Sequence, residues 1–426
     1  MSMINEMVKN KQGYSLHIVK TEKYKTNTLV WKMKAPLQSK DVTLRGLLPH
    51  VLQSSSKNYP TTTAFRTYLD DLYGASFFVD VGKKGENHIM SFSIEVANEK
   101  FLKDSEPLLK KGLQFLAEVL LNPNVEGNTF HKETVEKEKR NQKVRIQSVY
   151  DDKMRYSNSR LVEEMCKGEP FALHANGNAN DVEATTASSL YEYYQKAIAE
   201  DSLDLYVIGD VDEQEVEGFC DEIFQLTERE EKRVDSKVEK TIEEVNEVKE
   251  EQDVKQGKLN IGYRTNVMYG DEDYFALQVF NGIFGGFSHS KLFINVREKA
   301  SLAYYAASRL ESHKGLMMVM SGIDMKNYDQ AVQIIKEQMD AMKNGEFTDG
   351  ELEQTKAVIR NQLLETIDTS RGLVEVLYHN VVAHQQLVLE DWLEKVERTT
   401  KQEIIEVAKK INMDTIYFLT GTEASA

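Results

Sequence analysis

A run of charge cuts this chain in two. From Thr227 to Lys258 it reads TEREEKRVDSKVEKTIEEVNEVKEEQDVKQGK, with scarcely any apolar face. Such a segment buries too little surface to offset the ordering of its own backbone. It reads as a solvated linker with a fraying helix at its start, able to act as a hinge. A chain of 426 residues is too long for one ordinary core. The expected division is a domain over 1–227, a charged linker over 228–256 and a second domain over 257–426.

The flanks resemble each other. Leu203 to Asp210 reads LDLYVIGD and Met413 to Thr420 reads MDTIYFLT, both typical of a buried strand. Each follows a helical stretch introduced by a Thr pair, Thr185-Thr186 or Thr399-Thr400, suited to capping. Leu72 to Ser91 and Leu302 to Ser321 align in one register, with Gly85 opposite Gly315, and both read as hairpins. An apolar helical segment precedes each, Leu44 to Leu52 and Phe275 to Phe284. Strands and helices are mixed rather than strictly alternating. The fold class expected is α+β: two similar domains, each a mainly antiparallel sheet covered by helices.

Charge and cysteine usage narrow the function. The net charge of −16 repels phosphate backbones, so nucleic acid is not an expected partner. Cys166 and Cys220 form no metal or disulfide pattern and suggest a reducing compartment. The first residues, MSMINEMVKNKQGYSLHIVK, lack an apolar signal core. No run of about 18 apolar residues is present to span a membrane. The expectation is a cytoplasmic protein with no membrane partner.

One block in the second half is specific. Phe284 to Ser308 reads FGGFSHSKLFINVREKASLAYYAAS, with Arg297 and Tyr304 seven residues apart. It resembles the Gly-Gly…Ser…Leu-Phe…Arg-Glu…Leu-x-Tyr block of insulinase/pitrilysin-type peptidases and mitochondrial processing peptidases. The first half supports the match through FHKETVEKEKRNQKVRIQSVYDD, from Phe130 to Asp152, and through the YSNSRLVEEMCKGEPFALHANGNANDVEATTASSL stretch. These are similar to the family's glutamate-bearing helix, the helix after it and a glycine loop. The resemblance covers almost the whole chain and implies a duplicated metallopeptidase-like module.

Active members carry H-x-x-E-H on a helix near the N-terminus: two His ligands for Zn²⁺ and a Glu general base. A further Glu ligand comes from a later helix. Here the aligned segment is Leu47 to Ser54. His50 matches the first histidine, Gln53 stands at the base and Ser54 at the second ligand. Counting seven onward from Glu138, the family's outer glutamate, puts Arg145 at the third ligand. An amide cannot take a proton at neutral pH, a serine hydroxyl is a poor zinc ligand, and a guanidinium has no lone pair to give. No other histidine pair has metal-ligand spacing. The chain is expected to bind no metal and to be inactive alone.

Arg297 and Tyr304 are intact. In the family this pair contacts the substrate backbone and the carbonyl under attack, which suits a guanidinium fork and a phenol donor. The resemblance therefore implies a zinc-lacking subunit that helps to position short or unfolded peptides. Its zinc-bearing relative would complete a heterodimer, and the isolated chain would form a homodimer. Two other readings stay open: a peptide-binding or scaffold protein without a catalytic partner, and a metal enzyme with unorthodox ligands. Residue type alone also allows Arg297 to pair with Glu298 and Tyr304 merely to pack.

Overall fold

A computed structural model describes residues 4–103, 106–230, 233–234 and 240–422. The strands β1 (Glu6–Lys11), β2 (Tyr14–Lys20), β3 (Thr26–Pro36), β4 (Ser76–Lys84), β5 (Asn87–Ala97) and β6 (Ser202–Gly209) form one sheet, ordered β1-β2-β6-β3-β5-β4. The strands β7 (Asn246–Gln252), β8 (Gly257–Arg264), β9 (Ala303–Glu311), β10 (Leu316–Ile323) and β11 (Asn412–Gly421) form the other, ordered β7-β11-β8-β10-β9. Leaving β1 aside, the two orders correspond strand for strand. Each has one parallel pair, β2 with β6 and β7 with β11, and is otherwise antiparallel. The two similar α+β domains are as expected. Both aligned stretches are hairpins, β4–β5 and β9–β10, and Gly85 and Gly315 sit in their turns at φ 55° and 70°. Thr186 and Thr400 each cap a helix with a complete capping box.

Side chains alternate across each strand, so both faces must find cover. On β3 and β6, Leu29, Trp31, Met33, Leu205 and Val207 pack on the first half's own helices. The neighbouring Val30, Tyr206 and Ile208 face the other way, and a helix of the second half, Ser370–Ala383, covers them with Val374, Leu377 and Tyr378. The exchange is reciprocal. Helix Lys153–Met165 of the first half lays Tyr156 and Leu161 on Met318, Tyr417 and Leu419 of the second sheet. Gly262 permits the approach, since a Cβ there would lie 2.5 Å from Met165 Sδ.

A buried ion chain also crosses between halves. Lys314 reaches Glu86 at 2.5 Å and Glu169 at 2.9 Å, and Arg264 holds Glu169 at 2.6 Å and Asp414 at 2.9 Å. Removing one member of such a set strands a buried charge and typically costs about 3–5 kcal/mol.

Of the solvated linker expected over 228–256, residues 231–232 and 235–239 lie outside the described residues, and the later part differs from it. The preceding helix ends at Ile223, and none follows as far as residue 230. Its later part is β7, the second-sheet counterpart of β2. The charged strand NEVKEEQ lays one apolar side chain, Val248, against the second sheet's cluster and is otherwise held by hydrogen bonds. Glu250 accepts from Tyr156 Oη at 2.6 Å and Tyr417 Oη at 2.7 Å. Burial works against its charge, but these donors hold its carboxyl below the usual range.

Candidate functional site

Helix Ser39–Ser54 carries the degenerate motif. It is fixed from beneath by Arg45, fully buried, whose Nη1 reaches Asp201 at 2.6 Å and whose Nη2 donates to the Met33 and His88 carbonyls. Gly46 lets a second helix, Lys132–Asp151, lie close, since a Cβ there would meet Gln142 Nε2 at 2.7 Å. The glycine loop is packed for the same reason. Gly177 takes φ 70°, and a Cβ on it would come within 2.0 Å of Thr43 Oγ1.

This packing brings His50, Ser54, Glu138 and Arg145 together. The Ser54 hydroxyl lies 3.1 Å from Glu138 Oε1 and 3.1 Å from the His50 carbonyl. Glu138, buried, also accepts from Asn141 Nδ2 at 3.1 Å and faces Arg145 Nη2 at 3.6 Å. Arg145 Nη1 donates to Gln142 Oε1 at 3.0 Å, and Gln142 in turn donates to the Asn176 carbonyl at 2.8 Å. Burial, with the Arg145 charge beside it, pulls the His50 imidazole down to about 4, so it is neutral at pH 7. Gln53 turns away from this group and donates from Nε2 to the Phe77 carbonyl of β4 at 3.3 Å.

These residues do not fit a zinc ion. The carboxylate is already engaged by a hydroxyl, an amide and a guanidinium. The fixed cation that engages it would repel a dication at close range. Among the described residues, no group of three or more His, Cys, Asp or Glu is placed to hold a metal.

The second-half block divides into packed and exposed residues. Gly285 and Gly286 end a π-helical turn, Gly282–Gly286, pressed against β9. A Cβ on Gly285 would lie 2.5 Å from Ser308 Oγ and 2.8 Å from Ser308 N. Leu292 and Val296 are buried, and Ser308 donates to Asn281 Oδ1 at 2.7 Å. Arg297 lies in a second π-helical turn, Phe293–Lys299, its guanidinium 4.5 Å over the Phe293 ring and its side chain in solvent. Tyr304 enters β9 after a left-handed turn at Ser301, φ 53°, and is 74% exposed. Among the described residues, no salt bridge joins Arg297 to Glu298 and Tyr304 has no hydrogen-bond partner, so neither is doing the packing work that residue type alone allows.

Two participants escaped the sequence reading. Asn141 follows Glu138 by three positions on one helix, a spacing that puts both on one face and could have flagged it. The Phe77 carbonyl, a backbone atom far from Gln53 in sequence, left no such signal.

Similarity to known proteins agrees with this geometry. Residues 184–359 match the model of the Peptidase M16 inactive domain. A Bacillus subtilis (strain 168) protein, "Probable inactive metalloprotease YmfF", is 57% identical across 100% of both chains. A crystal structure of a conserved Enterococcus faecalis V583 protein is 38% identical with a TM-score of 0.92, covering 98% of this chain and 99% of that one. A Helicobacter pylori protease shares the fold at 17% identity and a TM-score of 0.81, over 99% of this chain and 100% of that one. No helix among the described residues is long and apolar enough to cross a membrane. The chain belongs to the M16 (insulinase/pitrilysin) peptidase family, and no catalytic metal site is found among its described residues.

Proposed function

We propose that this protein is the non-catalytic subunit of a two-chain zinc peptidase, binding and positioning short or unfolded peptides through Arg297 and Tyr304. The observation that carries the reading is their exposure. Beside the buried Leu292, Val296 and Ser308 of the same block, one guanidinium and one phenol are presented to solvent with donors to spare. Donors of this kind suit the carbonyls of an extended chain. Zinc would come from a family relative bearing H-x-x-E-H, and the isolated chain would pair with itself.

The test is a mixing assay with the H-x-x-E-H relative from the same cell, read as peptide hydrolysis. The expected result is activity well above that of the relative alone, lowered at least about tenfold by Arg297→Ala, roughly 1.4 kcal/mol of lost stabilisation. Tyr304→Phe should lower kcat more than it raises KM, because the phenol serves a developing charge. A relative fully active alone, and indifferent to both substitutions, would sink the proposal. A scaffold that binds peptide without a catalytic partner is the second reading. It is favoured by the internal hydrogen bonding of the first half's site, whose polar groups are answered without a metal.

A further inference from the structure

The glutamine at the base position has a definite partner, and that partner lies at a sheet edge. β4 is an outer strand of the first sheet and, among the described residues, pairs with β5 alone. The two-residue turn Gly85-Glu86 joins Lys84 to Asn87, with Gly85 left-handed at φ 55°. In such a hairpin the closing pair exchanges both backbone hydrogen bonds, and the pattern then alternates along the strand. Residues 84, 82, 80, 78 and 76 therefore turn N–H and C=O toward β5. Lys83, Val81, Val79 and Phe77 turn theirs outward. Pro36 agrees with this phase: it stands opposite Asn87 on the far side of β5, where the alternation asks for no donor.

Outward backbone groups on an edge strand are a template for an added strand. Gln53, in the last turn of helix Ser39–Ser54, places its amide on one of them, donating to the Phe77 carbonyl at 3.3 Å. The amide stands where the N–H of an added strand would have to lie. A glutamate of the same shape would be acceptor-only at neutral pH and would repel that oxygen. Replacing one carboxylate oxygen by NH₂ thus removes a general base and supplies a donor in one change.

We propose that Gln53 latches the β4 edge against an added peptide strand, leaving the Arg297/Tyr304 face of the second half as the place where peptide is received. This rests on the peptide-binding reading above and adds which edge is denied.

The experiment compares the wild type with Gln53→Leu, which lacks the donor, and Gln53→Glu, which keeps the shape. The probe is a fluorescein-labelled peptide of alternating Val and Thr with Lys ends. Anisotropy gives affinity, and amide hydrogen exchange with and without peptide maps protection over residues 76–84 and 303–311. Thermal melting confirms that each variant is folded, and either variant alone decides the matter. The expected result is tightening by about three- to tenfold, the worth of one competing hydrogen bond. New peptide-dependent protection should appear at the Phe77, Val79 and Val81 amides in the variants only. If the wild type binds peptide and neither variant gains affinity or protection at 76–84, the latch is overturned and the peptide-binding reading stands. Protection of 76–84 already in the wild type overturns the latch equally. Absence of binding in all three proteins overturns both.

Discussion

Helix Ser39–Ser54 in the first half and helix Tyr274–Asn281 in the second stand at equivalent places, each before a hairpin of the same topology, and their surroundings have diverged. Around the first, the polar side chains are answered from within: Glu138 by Ser54, Asn141 and Arg145, and Gln53 by the Phe77 carbonyl. Around the second, the glycines and leucine of the block pack, while Arg297 and Tyr304 reach solvent. A buried polar group without a partner is destabilising. Polar groups buried in a site without a metal must therefore answer one another, whereas exposed donors carry no such penalty. The contrast separates a site that satisfies itself from one that offers its donors outward.

The largest effect that tests this contrast is the return of a metal. The triple variant Gln53→Glu, Ser54→His, Arg145→Glu restores two ligands and a base beside His50 and removes the fixed cation. It should bind one zinc per chain with a Kd below about 1 µM, or about 8 kcal/mol of binding free energy. The wild type should show no stoichiometric uptake by calorimetry or metal analysis. Tight zinc binding by the wild type would erase the distinction between the halves.

That His50, Ser54, Glu138 and Arg145 belong together was legible because residue type and helical spacing are written in the chain. The hairpins, the terminal strands β6 and β11 and the Thr caps were legible for a similar reason: apolar periodicity and capping are local. The exchanged helices were not. Nothing in the apolar pattern of Ser370–Ala383 states which sheet it covers, and the answer lies in Val30, Tyr206 and Ile208 of the other half. The strand β7 was hidden by its composition. Its anchor is Glu250 between two phenols, a tertiary contact that reads in sequence as one more solvated charge. In the candidate site, the role of Gln53 as a donor was not legible, because its acceptor is backbone.

A smaller effect sharpens the comparison through pH, since His17 of the first half and a buried histidine pair of the second are held in opposite charge states. In the first half, burial disfavours the His17 cation, but hydrogen bonds to Asp204 and Glu6 outweigh it and raise the group to about 9. In the second, His313 Nε2 and His379 Nδ1 lie 2.7 Å apart under the Tyr269 ring. Burial, with His379 and Lys84 facing His313 and with Lys84 and Lys32 facing His379, pulls these two to about 2 and about 3, although the Glu375 carboxylate opposes the shift at His379. The ordinary value is 6.5. The His17 contribution is complete below that value and is lost as pH rises through about 9. The contribution of the pair is complete above it and is lost as pH falls toward about 3. Urea unfolding across this range should show stability falling on both limbs by on the order of 1–3 kcal/mol. His17→Gln should flatten the alkaline limb only, and His379→Gln should lessen the acid limb only, to which the depressed His50 and His88 also contribute. A substitution that flattened both limbs, or neither, would show that the two histidine environments do not act separately.

The smallest effect divides the second-half block into its packed and offered parts. Arg297→Ala and Tyr304→Ala remove exposed side chains and should change unfolding free energy by less than about 0.5 kcal/mol. Gly285→Ala should cost about 1–3 kcal/mol. Its new Cβ would lie 2.8 Å from Ser308 N, a backbone atom that cannot turn aside as a side-chain end can. The three are compared by urea denaturation under one set of conditions. A loss above about 1 kcal/mol for Tyr304→Ala would make that tyrosine part of the packing. The second half would then be as inwardly satisfied as the first.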